Sequence, residues 1–320
     1  MIFEKKIVEI YKSTLVRRYV ESPCLKYFTH KDFPGLKAEP FTFEGDKGQR
    51  LSGCFYHYGV KDNGRLVIFD HGIGAGHRAY MREIEILAEQ GYTVFSYDHT
   101  GCVDSEGESS VGFSQSLADL DFALKAVRAL EDYERASISV VGHSWGAFST
   151  LNISALHPDI ESCVAISGFI GVQRMIEQTF SGLMKGYRRA VLDYERQTNP
   201  YYSTFDARQS LSQGNTRVLV IHSEDDPVVS VSMHFDTLKN ALSGSERISF
   251  LKVEGKKHNP NYTKEAVELL DKMNTELRKG MKDKSLEDPE QAEKFRESWD
   301  YYKMTEQDKD IWNAVFEFIG

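Results

Sequence analysis

Hydrophobic and polar positions change rhythm several times along the 320-residue chain, and each change marks an element. Residues 41 to 58, FTFEGDKGQRLSGCFYHY, hold two alternating runs around a polar EGDKGQ turn, the pattern of an antiparallel hairpin with one buried face. RLVIFDHG (65 to 72) is instead a short continuous apolar run, as expected of a strand covered on both faces. Tyr80, Ile84, Leu87 and Ala88 then recur at helical spacing until Gly91. The unit repeats: strand 93 to 98, helix 116 to 130, strand 137 to 144, helix from Trp145 to about Leu156, strand 162 to 169. After a less regular insertion come strand 217 to 224, helix 230 to 242, strand 247 to 254 and a helix beginning near Tyr262. This alternation predicts an α/β fold: one mostly parallel sheet of about eight strands with helices on both faces, over residues 41 to 280.

Two extensions flank that region. In residues 1 to 40, Ile7, Ile10, Tyr11, Leu15 and Val16 fit one face of a helix, either docked on the fold or serving a membrane-surface or dimer contact. Residues 281 to 320 carry two helix-start signals, Asp288 with Pro289 and Thr305 with Asp308, the second before IWNAVFEFI. Trp312, Val315, Phe316 and Ile319 need burial, so this tail is expected to pack on the core.

Composition narrows the functional classes. With 39 basic and 48 acidic residues the chain has a net charge of −9, which removes the broad basic footprint of a nucleic-acid binder. No stretch reaches the roughly 18 apolar residues of a membrane span, and the charged N-terminal segment lacks a signal peptide's apolar block. A cytoplasmic location is the expectation, with Cys24, Cys54, Cys102 and Cys163 reduced rather than forming a disulfide framework. No HExxH or clustered His/Cys spacing suggests a metal, and no cofactor is implied. The oligomeric state is open.

The chemistry concentrates at Gly142-His143-Ser144-Trp145-Gly146, a GxSxG pattern where a buried strand meets a helix. A tight strand-to-helix turn would expose the Ser144 hydroxyl, and the small residues would let the backbone cross closely. A nucleophilic serine needs a base, and the base an orienting acid, on neighbouring strand ends. Strand 217 to 224 ends in Glu224-Asp225-Asp226-Pro227-Val228-Val229, and strand 247 to 254 leads into Gly255-Lys256-Lys257-His258. His258 is the candidate base. Asp226 is the preferred acid and Asp225 its competitor.

These motifs resemble those of the α/β-hydrolases, nearest to the serine esterase, lysophospholipase and S33-type peptidase group. The resemblance spans about residues 41 to 275 and rests on five motifs in order: His71-Gly72-Ile73-Gly74, Asp98-His99-Thr100-Gly101, the 142 to 146 elbow, Asp226-Pro227-Val228-Val229, and Gly255 to His258. It implies a Ser144–Asp226–His258 triad in the family's chain order. It also implies an oxyanion hole from the backbone N–H groups of Trp145 and Ile73, and a small helical cap inserted at about residues 169 to 206. His71, His143, His222, Asp70 and Asp98 are expected to be structural.

The insertion shapes the expected substrate. Phe169, Met175, Phe180, Met184 and Tyr187 are the candidate substrate-binding residues, since a lid of Met and aromatic groups suits an acyl chain. The segment does not concentrate the carboxylates an aminopeptidase needs for a substrate amine. The expectation is therefore an esterase or thioesterase for a small to medium acyl substrate, with no nucleic-acid or membrane-spanning role. An S33-like peptidase or amidase, or a non-catalytic binding protein on the same fold, are the alternatives.

Overall fold

In the computed structural model, residues 2–59, 64–74 and 76–320 are described. One eight-stranded sheet organises them, with strands β1 (Lys37–Glu44), β2 (Arg50–His57), β3 (Arg65–Asp70), β4 (Thr93–Tyr97), β5 (Ser137–His143), β6 (Ser162–Ile166), β7 (Arg217–Ser223) and β8 (Ile248–Val253). Their spatial order is β1-β2-β4-β3-β5-β6-β7-β8. β2 runs antiparallel to both β1 and β4, and every other pairing is parallel. The first strand begins at Lys37, four residues ahead of the expected run, and includes Pro40. β1 has a single neighbour in the sheet, so a missing N–H is tolerated there as it would not be in a central strand.

The two-residue period of a strand sorts the core into two layers. In β3, Leu66 and Ile68 enter one apolar cluster while Val67 and Phe69 enter the other. The first layer is covered by α3 (Gln115–Arg128), α4 (Trp145–Asn152) and the helices that follow β6: α5 (Val172–Thr179), α6 (Arg188–Thr198) and the single turn α7 (Ala207–Ser210). α8 (Phe235–Leu242) completes that face with Phe235 and Leu238. The N-terminal helix α1 (Ile2–Leu15) docks on α6, where Tyr11 donates a 2.5 Å hydrogen bond to the buried Glu195 carboxylate. Ile10, counted on its apolar face from the sequence, points to solvent at 51% exposure, because the docked stripe runs through Tyr11 and Val16 instead.

The second layer holds α2 (Met81–Glu89) and, less expectedly, α12 (Lys309–Ile319) from the end of the chain. α9 (Lys264–Lys282) follows the last strand yet packs against α11 (Tyr301–Met304) and the turn at 285–287, beside α10 (Pro289–Glu297). The place against the sheet is taken by Ile311, Trp312, Val315 and Ile319 of α12, all buried with residues of β3, β5, β6 and β7. Asp288 caps α10 with Pro289 in its first turn, as the sequence signal indicates. For α12 the cap is Asp308 rather than Thr305: its carboxylate accepts from the Asp310 and Ile311 N–H groups.

Candidate active site

Parallel strands put their carboxyl ends on one edge, so the loops after β3, β5, β7 and β8 converge there. At the end of β5, Ser144 adopts φ 56° and ψ −109°, a conformation non-glycine residues rarely hold, before α4 starts at Trp145. The flanking glycines make that turn possible. A Cβ on Gly146 would lie 2.0 Å from the Asp70 carbonyl oxygen, and one on Gly142 would lie 2.4 Å from the Gly146 carbonyl oxygen. Gly146→Ala is therefore expected to cost about 3 kcal/mol or more, read as a lower urea midpoint, since β3 backbone cannot retreat from the centre of the sheet. The Trp145 indole fastens the turn by donating to the Phe113 carbonyl at 2.6 Å.

His258 Nε2 lies 2.9 Å from Ser144 Oγ, and His258 Nδ1 lies 2.8 Å from Asp226 Oδ2. The three side chains come from loops 114 and 32 residues apart in sequence. Asp226 Oδ1 also accepts from the Val228 and Val229 N–H groups at 2.8 and 3.0 Å, and its side chain is fully buried. Burial by itself would raise the pKa of this carboxyl; hydrogen bonds from His222 and His258 outweigh it and hold the group well below the ordinary carboxylate range. Asp226 is thus ionised, able to favour the His258 tautomer that carries its proton on Nδ1 and leaves Nε2 facing the serine.

The two adjacent acids point in different directions. Asp225 turns away from His258, and its Oδ1 accepts from the N–H groups of Gly255, Lys256 and Lys257 at 3.0 to 3.2 Å. It shapes the loop that carries His258, in which Lys257 takes a positive φ of 48°. His222 is buried as expected, but its Nε2 also stands 3.1 Å from Asp226 Oδ2, a contact its strand position alone did not signal. His143 braces the other side: Tyr80 Oη donates to its Nδ1 at 3.0 Å, and its Nε2 donates to the His258 carbonyl at 2.9 Å. Burial, then the neighbouring His258, push the His143 pKa down to about 3, so it remains a neutral strut.

A network that sequence reasoning missed lies under this edge. His99 is fully buried between Asp70, 3.0 Å away as a charge contact, and Asp119, hydrogen-bonded at 3.3 Å. Burial opposes its charge, yet the two carboxylates raise its pKa to about 10. This favours the imidazolium form of His99, whose ring centroid lies 4.7 Å from that of Trp145. His71, beside it, is neutral: its Nε2 accepts from the His99 N–H, and burial followed by the His99 charge lowers its pKa. Asp98 pairs with His77 at 2.7 Å and raises that imidazole to about 9 against the effect of burial. One signal was available: Asp119 shares a helix stretch with Leu117, Leu120 and Ala123, whose burial would leave a carboxylate in need of a partner.

The backbone N–H of Trp145 heads α4 and has no partner within the helix, which suits it to receive an anion. Ile73 lies in the loop after β3. The residues expected to contact substrate scatter. Phe169 is stacked on Phe148 at 4.7 Å, Phe180 is buried, Met175 and Tyr187 are half-buried against the core, and Met184 is exposed. Among the described residues, no group of three or more His, Cys, Asp or Glu side chains could hold a metal ion, and no helix is long and apolar enough to cross a membrane.

Similarity to known proteins agrees with this architecture. An esterase of Pyrococcus furiosus superposes with a TM-score of 0.59 at 19% identity, over 81% of this chain and 96% of that one. The chain has the α/β-hydrolase fold. The family model described as serine aminopeptidase, S33, matches residues 61–204, less than half of the chain. This hydrolase-fold chain also resembles a Pyrococcus horikoshii acylaminoacyl peptidase, with a TM-score of 0.54 and 15% identity over 71% of this chain and 38% of that one. A relative from Klebsiella pneumoniae subsp. pneumoniae named for carbamate hydrolysis, RutD, is 28% identical over 116 residues, 36% of this chain. The match spans 42% of that relative's length.

Proposed function

We propose that the protein is a serine hydrolase that cleaves carboxylic esters, or thioesters, of small to medium acyl substrates through an acyl-enzyme. The observation that carries this reading is the unbroken line of hydrogen bonds Asp226–His258–Ser144 at 2.8 and 2.9 Å. Ser144 Oγ attacks the acyl carbon as its proton passes to His258 Nε2, and Asp226 stabilises the imidazolium so formed. His258 then protonates the departing alcohol or thiol, and a water activated by the same histidine releases the acid. The Trp145 and Ile73 N–H groups receive the oxyanion, a donor of this kind being worth about 3 kcal/mol.

The S33 match keeps amide cleavage as the second reading. A fluorophosphonate probe is expected to label Ser144 in the wild type and to leave Ser144→Ala unlabelled; an unlabelled, folded wild type would refute the serine-hydrolase reading. A panel of acyl esters, thioesters and aminoacyl amides decides between the two reactions, esters and thioesters being the expected substrates.

A further inference from the structure

A cavity of about 230 Å³ lies beside the loop that bears Ile73 and the residue that follows His258. Its walls include Ile73 and Tyr80 from the loop and turn after β3, Phe28 from the N-terminal extension, Leu270 and Met273 of α9, and Met304 of α11. Two links tie it to the chemistry. Asn259, in its wall, directly follows His258. A Cβ placed on Gly72 would lie 2.5 Å from Tyr80 Oη and 3.2 Å from Ser144 Cβ, so one glycine separates the cavity wall from the serine.

The lining defines what fits. Phe28, Met273 and Met304 are buried apolar side chains, and none of the described lining residues is an aspartate or glutamate. The two cations at its edge are already paired, Lys26 with Asp32 at 3.2 Å and Arg78 with Glu21 at 2.7 Å. The site therefore favours a neutral apolar group and has no counter-charge for an ammonium. An apolar cavity of about 150 Å³ suffices for benzene, so this larger one has room for a ring with a short linker.

We infer that this cavity, walled by both chain extensions, is the specificity pocket for an aryl or branched alkyl group attached to the scissile ester. The inference rests on the hydrolase reading above for its catalytic consequence, and on the cavity alone for binding. It moves substrate choice from Met184 and its neighbours to Phe28, Leu270, Met273 and Met304. Flexible Met side chains and aromatic rings suit a pocket that accepts related apolar shapes.

Two positions test it from opposite walls: Ala79, exposed in the turn 77–80, and Asn274, on α9. Hydrolysis of methyl acetate, methyl phenylacetate (bulky acyl side) and benzyl acetate (bulky alcohol side) is followed by proton release for the wild type, Ala79→Trp and Asn274→Trp. In each variant, kcat/KM for at least one bulky ester, taken as a ratio to that for methyl acetate, is expected to fall at least tenfold. The ester affected identifies the side of the scissile bond that enters the cavity. Ratios that fall for neither bulky ester overturn the pocket. Binding of the two bulky esters to Ser144→Ala by ligand-observed NMR separates the two failures. A wild type inert to all three esters, with binding to Ser144→Ala that is lost on adding Ala79→Trp, refutes the hydrolase reading and upholds the cavity. Binding that survives Ala79→Trp refutes the cavity.

Discussion

Replacing Ser144 by alanine is expected to lower ester hydrolysis by about 10⁶-fold in kcat, to the level left by substrate positioning and oxyanion donors alone. His258→Ala should fall to the same floor, and the double variant no further, because either loss removes the proton path that makes the other residue useful. Asp226→Asn is the more discriminating change. Its carboxylate holds His258 Nδ1 at 2.8 Å while the Val228 and Val229 N–H groups occupy the other oxygen. With those N–H donors holding the amide oxygen, the amide nitrogen would face His258 and favour the tautomer with its proton on Nε2, aimed at the serine. The expected loss is about 10⁴-fold in kcat with a small change in KM. Asp225→Asn should behave differently, since Asp225 acts on the loop at 255–257 rather than on the imidazole. Single-turnover measurements with a chromogenic ester check all five variants, and an Asp226→Asn enzyme at near wild-type rate would remove Asp226 from the assignment.

The largest effect on stability is expected at His99. His99→Leu leaves Asp70 and Asp119 buried without their cation, a loss of the kind that costs about 3–5 kcal/mol, measured by urea unfolding at pH 7. Linkage gives the same network a pH signature. His99 and His77 have folded-state pKa values raised to about 10 and about 9, above the ordinary histidine value near 6.5. Between pH 6.5 and about 9 the unfolded chain gives up these protons while the folded protein keeps them. Their stabilisation is thus complete below pH 6.5 and drains away as pH rises through the folded values. The urea midpoint should fall from pH 6.5 to pH 10, and less steeply in His99→Leu, which has one such proton fewer to lose. Equal slopes would show that His99 is not an imidazolium in the folded protein.

Some of this could be read along the chain and some could not, and His99 shows where the division falls. It occupies an unspecified position of the Asp98 to Gly101 motif, so nothing local marks it as charged; its carboxylates come from the end of β3 and from α3. Asp225 and Asp226 were both plausible acids on the sequence, and only the direction of each side chain at the strand end separates them. The tail shows the same limit. Its apolar stripe and the Asp288–Pro289 cap are local signals and were legible, but that α12 rather than α9 covers β6 depends on a choice between two helices that both have an apolar face.

By itself the sequence determined the alternation of buried strands and helices, the parallel sheet, the glycine-flanked serine turn and the loop that bears His258. Each is set by periodicity or by the steric needs of a few consecutive residues. Tertiary structure alone decided which acid meets His258, which histidines sit against buried carboxylates, which helix closes the second layer and where an apolar cavity lies beside the loop after β3. Those outcomes depend on side chains brought together from distant parts of the chain, and a pairing across 28 residues, as for His71 and His99, or 114, as for Ser144 and His258, leaves no local pattern.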